Sequence, residues 1–532
     1  MFPGLLGRAL RVSGTSLNTS ILTGLSPFSY SRGFHHHLIK KTSQVALFRQ
    51  QTSALVAPPR TRAYSSSSSS FFKFLFFRNK RNALPKSGAL LESPPRFFSS
   101  NGSDTHPPAA ELPVLSPPPV ANWLLLSSTL VIAVIVVGGI TRLTESGLSI
   151  TEWRPITGIL PPLSQAEWKG EFDKYKATPE FRLLNSRISL DDFKSIYYME
   201  WGHRILGRVI GLAFVLPLAY FTFRQRLSRS LRGPLIGMAA LLGAQGVLGW
   251  YMVQSGLEPT NFIADDAVPR VSQYRLAAHL GAALVLYAGM FAAGLAVKTD
   301  WRFARDGVWS RLRDGRTWEE VLRNPVVKRF KLYASIVTGL VLLTALSGAF
   351  VAGLDAGLVY NEFPLMGGRL TPPLKELLSP QYATTTTTTI DHNNNKKRND
   401  NPGLWRNFFE NPTTVQFDHR LLAMTTYLST ALLFASSRRA SFRAALPHSA
   451  VRATAFLFAM ANVQVVLGIS TLLYLVPVPL AASHQVGSVA LLSAALHVLL
   501  ALRRPGAAAR AWRQANLART RNYAVGGRKV NV

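Results

Sequence analysis

The chain has 532 residues, no cysteine and a formal net charge of +32. Without thiols it can form no disulfides, iron–sulfur clusters or thiolate zinc sites. The basic residues lie in the leader, the loops and the tail, where they read as topology signals, so nucleic acid is not an expected partner.

The first 105 residues form the first segment. No acidic residue precedes Glu92, whereas thirteen Lys and Arg do, among many Ser, Thr and Phe. That composition, without a long apolar core, predicts a mitochondrial import presequence. A serine run, Ser65 to Ser70, and a proline-rich linker, Pro107 to Pro119, complete a region with no expected fold. The triplet His35-His36-His37 lies in this leader, outside any expected site.

From about Asn122 the apolar residues come in blocks of roughly 18 to 24, the length that spans ~30 Å of hydrocarbon. They predict helices near 122–140, 204–223, 233–253, 274–297, 331–352, 419–437, 452–475 and 482–502. The expected class is an all-α polytopic membrane protein with eight transmembrane helices. Arg224 to Arg232, Lys298 to Lys331, Arg438 to Arg452 and the tail 503–532 are strongly basic. By the positive-inside rule these segments, and both termini, face the matrix. The alternate loops hold Glu145 to Glu200, the segment with Glu258, Asp265 and Asp266, and a long loop from Gly353 to Phe417. Within that loop, 384–401 is low in complexity and expected to be disordered, with His392 a solvated bystander.

The two halves repeat. Glu145 to Trp153, "ESGLSITEW", recurs as "DAGLVYNEF" from Asp355 to Phe363. "HRILG" at His203 recurs as "HRLLA" at His419, "GAQGVLG" (243–249) as "ANVQVVLG" (461–468), and "AAHLGAALVL" (277–286) as "ASHQVGSVALL" (482–492). Four spans per unit, an even number, make the units parallel, related by an axis along the membrane normal. The expectation is two four-helix-bundle repeats, 120–297 and 331–502.

Four histidines occupy equivalent places in these repeats. His203, His279, His419 and His484 each lie at or near the start of a span that enters from the same face. Ionisable groups inside a membrane are functional candidates. Neutral imidazoles from two helices can grip one porphyrin inside a four-helix bundle, which allows one haem between His203 and His279 and another between His419 and His484. His106, His448 and His497 have no repeat counterpart and stay unassigned. Arg204 and Arg420 follow the first histidine of each pair and could fork onto a haem propionate or snorkel to lipid headgroups. Glu200 lies one turn before His203, where the second half has Gln416. A carboxylate at one site and an amide at the other suits proton handling at the first and electron transfer at the second. Alternatively, Glu200 caps the helix N-terminus.

Several long motifs occur in order. They are "GGITRLTESGLSITEWRPITGILPP" (138–162), "EWGHRILGR" (200–208), "GAQGVLGWYMVQSGL" (243–257), "AAHLGAALVLY" (277–287), "FDHRLLA" (417–423) and "SHQVGSVALL" (483–492). Over roughly residues 120 to 505 the chain resembles mitochondrial haem A synthases. The resemblance implies an eight-helix inner-membrane enzyme that converts haem O to haem A for cytochrome c oxidase. The C8 methyl group becomes a formyl group through successive hydroxylations and loss of water from a geminal diol. It further implies that Glu200, His203 and His279 form the catalytic substrate site, and that His419 and His484 hold haem b. Haem O would come from the upstream farnesylating enzyme and electrons from a ferredoxin and its reductase; a homo-oligomer is compatible with it. Two departures stand out. The cysteine pair of some bacterial relatives is missing, and the Thr/Asn-rich loop is an addition. Two other readings fit the repeats. One is a di-haem b-type electron carrier without substrate chemistry, from which Glu200 discriminates; the other is a transporter whose histidines gate.

Overall fold

A computed structural model describes residues 112–154, 158–258, 269–310, 315–383 and 403–526. The expected presequence, 1–105, and the Thr/Asn-rich segment, 384–401, lie outside them. The described residues form helices and no strand. Nine are long: α1 (Pro118–Leu143), α2 (Leu190–Phe223), α3 (Arg229–Leu257), α4 (Gln273–Asp306), α5 (Pro325–Gly353), α6 (Pro412–Arg438), α7 (His448–Leu473), α8 (Val478–Ala501) and α9 (Ala507–Gly526). The chain is an all-α polytopic membrane protein. Seven helices, α1 to α5, α7 and α8, are long and apolar enough to cross a membrane. The eighth expected span, 419–437, falls in α6, which has the length at 27 residues but not the apolarity. Gln416, Asp418, His419 and Arg420 occupy its first turns and Thr425, Thr426 and Thr430 continue it.

Within each half the helices pack in sequence. Helix α1 lies against α2 and α4, and α3 against α2 and α4. In the same manner α5 packs on α6 and α8, and α7 on α6 and α8. The halves meet through the outer members of each set, α1 and α4 against α5 and α8. One apolar core runs across this seam, built on Leu124, Val131, Leu284, Met290, Phe330, Val337, Leu492 and Val498, all buried. The close approach of α1 to α4 depends on Gly294, where a Cβ would come within 2.9 Å of Leu125. Arg142 at the end of α1 pairs with Asp355 beyond α5 at 3.0 Å, a second tie between halves. Glu145 and Asp355, aligned in the repeat, both take left-handed backbone conformations, φ 54° and 51°.

Helix α2 starts fourteen residues before the expected span at 204, at Leu190. Ser189 and Asp192 form a reciprocal capping box there, each side chain accepting the other's backbone N–H at 3.2 Å. The added turns are amphipathic rather than apolar, which is why hydropathy alone passes over them. Their buried face, Phe193 and Tyr197, packs with Ile150, Trp168 and Tyr175 into an aromatic cap. The short helices Gln165–Lys176 and Pro179–Leu183 supply the rest of it. Burial of each large ring there contributes roughly 1.5–3 kcal/mol.

Candidate functional site

The capped extension of α2 places Glu200 three turns into the helix, so the N-cap reading of this residue is overturned. Glu200 is 3 % exposed, and four donors converge on it. Ser149 Oγ and the Ile150 backbone N–H each donate to Oε2 at 2.8 Å. Arg204 Nε and Nη2 donate to Oε1 at 3.1 and 2.6 Å. All four partners are donors, the arrangement a carboxylate anion accepts. Arg204 also donates to the carbonyls of Ile150, at 2.9 Å, and Glu152, at 3.1 Å. It therefore clamps the segment after α1 to α2.

The second half builds the same clamp without the carboxylate. Arg420 donates to the carbonyls of Tyr360 and Leu365 at 2.8 and 3.0 Å. Tyr360 is the repeat counterpart of Ile150. Gln416, where the first half has Glu200, donates its amide N–H to that same Tyr360 carbonyl at 3.0 Å. Arg204 has one N–H left for a propionate, whereas the Nε of Arg420 is buried without a partner. The sequence could offer the arginines' possible ligands but not these carbonyls, which belong to residues some fifty positions away.

The four histidines do not begin their helices. His203 is the fourteenth residue of α2, and His419 lies seven residues into α6. His203 and His279 come within electrostatic range of each other, and so do His419 and His484. Each ring rests on a glycine of a neighbouring helix. His203 meets Gly138, His279 meets Gly249, His419 meets Gly348 and His484 meets Gly468. These glycines are themselves repeat counterparts, Gly138 with Gly348 and Gly249 with Gly468. Among the described residues no three His, Asp or Glu cluster as a metal cage. The imidazole pair in each half and the spare Arg420 Nε fit porphyrin iron and its propionates.

One residue near the site carries no sequence signal. Glu180, in the short helix Pro179–Leu183, is 2 % exposed and its Oε2 has no hydrogen-bond partner. Burial, then the nearby Glu145 and Glu200 carboxylates, push its carboxyl up to about 8, against the opposing pull of Arg142. In "PEFRLLN" it looks like a solvated loop acid, whereas in the fold it lies buried beside Tyr175 and Asn185.

Comparison with known proteins bears on this arrangement. The model of a family described as cytochrome oxidase assembly protein, COX15-CtaA, matches residues 121–496. The heme A synthase COX15 of Saccharomyces cerevisiae is 43% identical over 373 residues, 70% of this chain and 73% of that protein. The heme A synthase COX15 of Homo sapiens is 45% identical over 369 residues, 69% of this chain and 79% of that one. A heme A synthase–mitochondrial ferredoxin fusion protein of Schizosaccharomyces pombe is 46% identical over 367 residues, 68% of this chain and 56% of its own length. The matched region takes in both histidine pairs, both arginine clamps and the Glu200–Gln416 contrast, and the chain belongs to the COX15-CtaA family of cytochrome oxidase assembly proteins.

Proposed function

We propose that this chain is a haem A synthase of the mitochondrial inner membrane, oxidising the C8 methyl group of haem O to the formyl group of haem A. The observation that carries the reading is the asymmetry of two otherwise matched sites. The first sets Glu200 and Arg204 beside His203, and the second sets Gln416 and Arg420 beside His419. His203 and His279 hold haem O as substrate, and His419 and His484 hold a resident haem b. When bound, haem b supplies one-electron transfer. Glu200 takes up protons released as the methyl group is oxidised, and Arg204 balances its charge. To do so the carboxylate gives up one of its four donors. The ferredoxin joined to the S. pombe relative supports a ferredoxin and its reductase as the electron source. The basic loops support eight spans in two parallel repeats, with both termini in the matrix.

The donors locked around Glu200 also favour a second reading, a di-haem carrier in which this carboxylate only braces the cap. Haem extraction separates the two. In purified His419→Ala haem b is depleted, while His279→Ala keeps haem b and loses haem O, its hydroxylated intermediate and haem A. Equal loss of both haems from both variants overturns the division of labour. Haem b alone in the unsubstituted protein favours the carrier.

A further inference from the structure

The two histidine pairs differ in what holds the ring nitrogen that faces away from a ligand. His419 Nδ1 is 2.7 Å from Ser347 Oγ, and that hydroxyl donates to the Thr344 carbonyl at 2.8 Å. With its proton committed to Thr344, Ser347 Oγ accepts from Nδ1–H. This fixes the tautomer that leaves the other ring nitrogen free to bind iron. The polar chain continues, Thr344 Oγ1 lying 2.8 Å from Thr426 Oγ1. Across the pair, Gln464 Nε2 donates to the His484 backbone carbonyl at 3.0 Å and lies 3.1 Å from its Nδ1; an N–H donor at Nδ1 favours the opposite tautomer, so Gln464 is not a counterpart of Ser347.

The first half has no hydroxyl at its histidine rings. Counting from the aligned Glu145 and Asp355, Ser347 corresponds to Val137 and Thr344 to Val134. Counting from the aligned histidines, Thr426 corresponds to Ile210. The Nδ1 atoms of His203 and His279 are buried without a side-chain partner. In place of a hydroxyl, the ring of His203 has the backbone carbonyl of Val134 as a hydrogen-bond acceptor. Gln245, the counterpart of Gln464, reaches the His279 backbone carbonyl at 3.2 Å and not the ring.

We propose that this difference sets which porphyrin stays and which leaves: Ser347 makes His419 a permanent ligand, and Val137, which has no hydroxyl, leaves His203 free to take up haem O and let haem A go. The inference rests on the functional reading above. Its physical basis is that a hydrogen bond to the outer nitrogen fixes ring orientation and raises the basicity of the ligating one. Ser347 is a positioning residue that acts through His419. A ring without that hydroxyl is held less firmly and can turn or change tautomer with its ligand, as an exchangeable site requires.

The test uses the full chain in detergent. It measures transfer of haem b to excess apomyoglobin, with the reduction potential of the bis-histidine haem followed by optical titration. Ser347→Ala should release haem b about 10- to 100-fold faster and raise its potential, because the ferric form loses the more basic ligand. Ser347→Thr, which keeps the hydroxyl, should restore both. Conversely Val137→Ser should slow the release of product haem from the first site. Release at the unsubstituted rate and an unchanged potential in Ser347→Ala would overturn the proposal while leaving the synthase reading intact. If no haem b in the chain depends on His419, both fall together.

Discussion

Replacing Glu200 by glutamine separates bracing from chemistry, because the second half already shows what an amide does at this position. The substitution exchanges two charge-assisted bonds from Arg204, at 2.6 and 3.1 Å, for weaker neutral ones. Such bonds contribute about 1.5–3 kcal/mol each, and a neutral oxygen recovers roughly half. Arg204 keeps the Ile150 and Glu152 carbonyls, so no bare charge is buried. The new amide can turn to the Ile150 carbonyl as Gln416 turns to that of Tyr360. The net cost comes to about 1.5–3 kcal/mol. Glu200→Ala instead leaves the Ile150 N–H without its acceptor, Ser149 with only the Ile196 carbonyl at 3.4 Å and Arg204 without its carboxylate, and costs about 3–5 kcal/mol. Urea unfolding in detergent, paired with haem extraction, reads both effects. Glu200→Gln should stay folded with haem b bound, accumulate haem O and make no haem A. Full haem A production by this variant would refute the proton role, and stability no better than Glu200→Ala would refute the borrowed geometry.

Glu180 gives a pH signature. Its carboxyl stands at about 8 in the folded chain against an ordinary 4.5, so the folded protein keeps a proton that the unfolded chain releases. Its contribution to stability therefore falls as pH rises from 4.5 to about 8 and is flat above, a loss of at most about 5 kcal/mol. Unfolding midpoints of Glu180→Gln should match the unsubstituted protein near pH 5 and exceed it near pH 8.5; a difference independent of pH would count against the burial argument. Phe193→Ala should cost about 3–5 kcal/mol by opening a cavity among Tyr175, Phe172 and Trp168. Limited proteolysis should then cut between residues 160 and 190 while haem b remains bound, and unchanged resistance would show that the cap does not hang on this ring. Among the seating glycines, an added Cβ would meet the His203 ring at 2.7 Å from Gly138 and the His279 ring at 3.4 Å from Gly249. Gly138→Ala should therefore disturb the haem spectrum far more than Gly249→Ala, and equal effects would mean that the rings are not held against these helices.

Much of this architecture is legible in the sequence because the membrane imposes it. A span must hide its backbone in helix and show apolar side chains to lipid, so apolar runs mark α1, α3, α4, α5, α7 and α8 closely. The repeat pointed to the histidine pairs because duplicated positions stand out against variable surroundings. What escaped has a physical cause in each instance. The first turns of α2 are polar on one face and fixed by a capping box, so hydropathy misses them. The helix α6 is long but polar along its first turns, and falls short of an apolar span. The burial of Glu180 brings it beside Tyr175 and Asn185, a tertiary event. The partners of Arg204 and Arg420 are backbone carbonyls, which carry no residue identity at all.

The uninterrupted length of α2 gives the site a mechanical property. Thirty-four residues make a rod of ~51 Å, some 20 Å longer than the hydrocarbon it crosses. Its interior proline, Pro217, falls after His203, so the stretch from the capped end to that histidine is free of a proline kink. The aromatic cap and that imidazole therefore sit on one rod, so the position of the cap fixes the height and azimuth of the histidine.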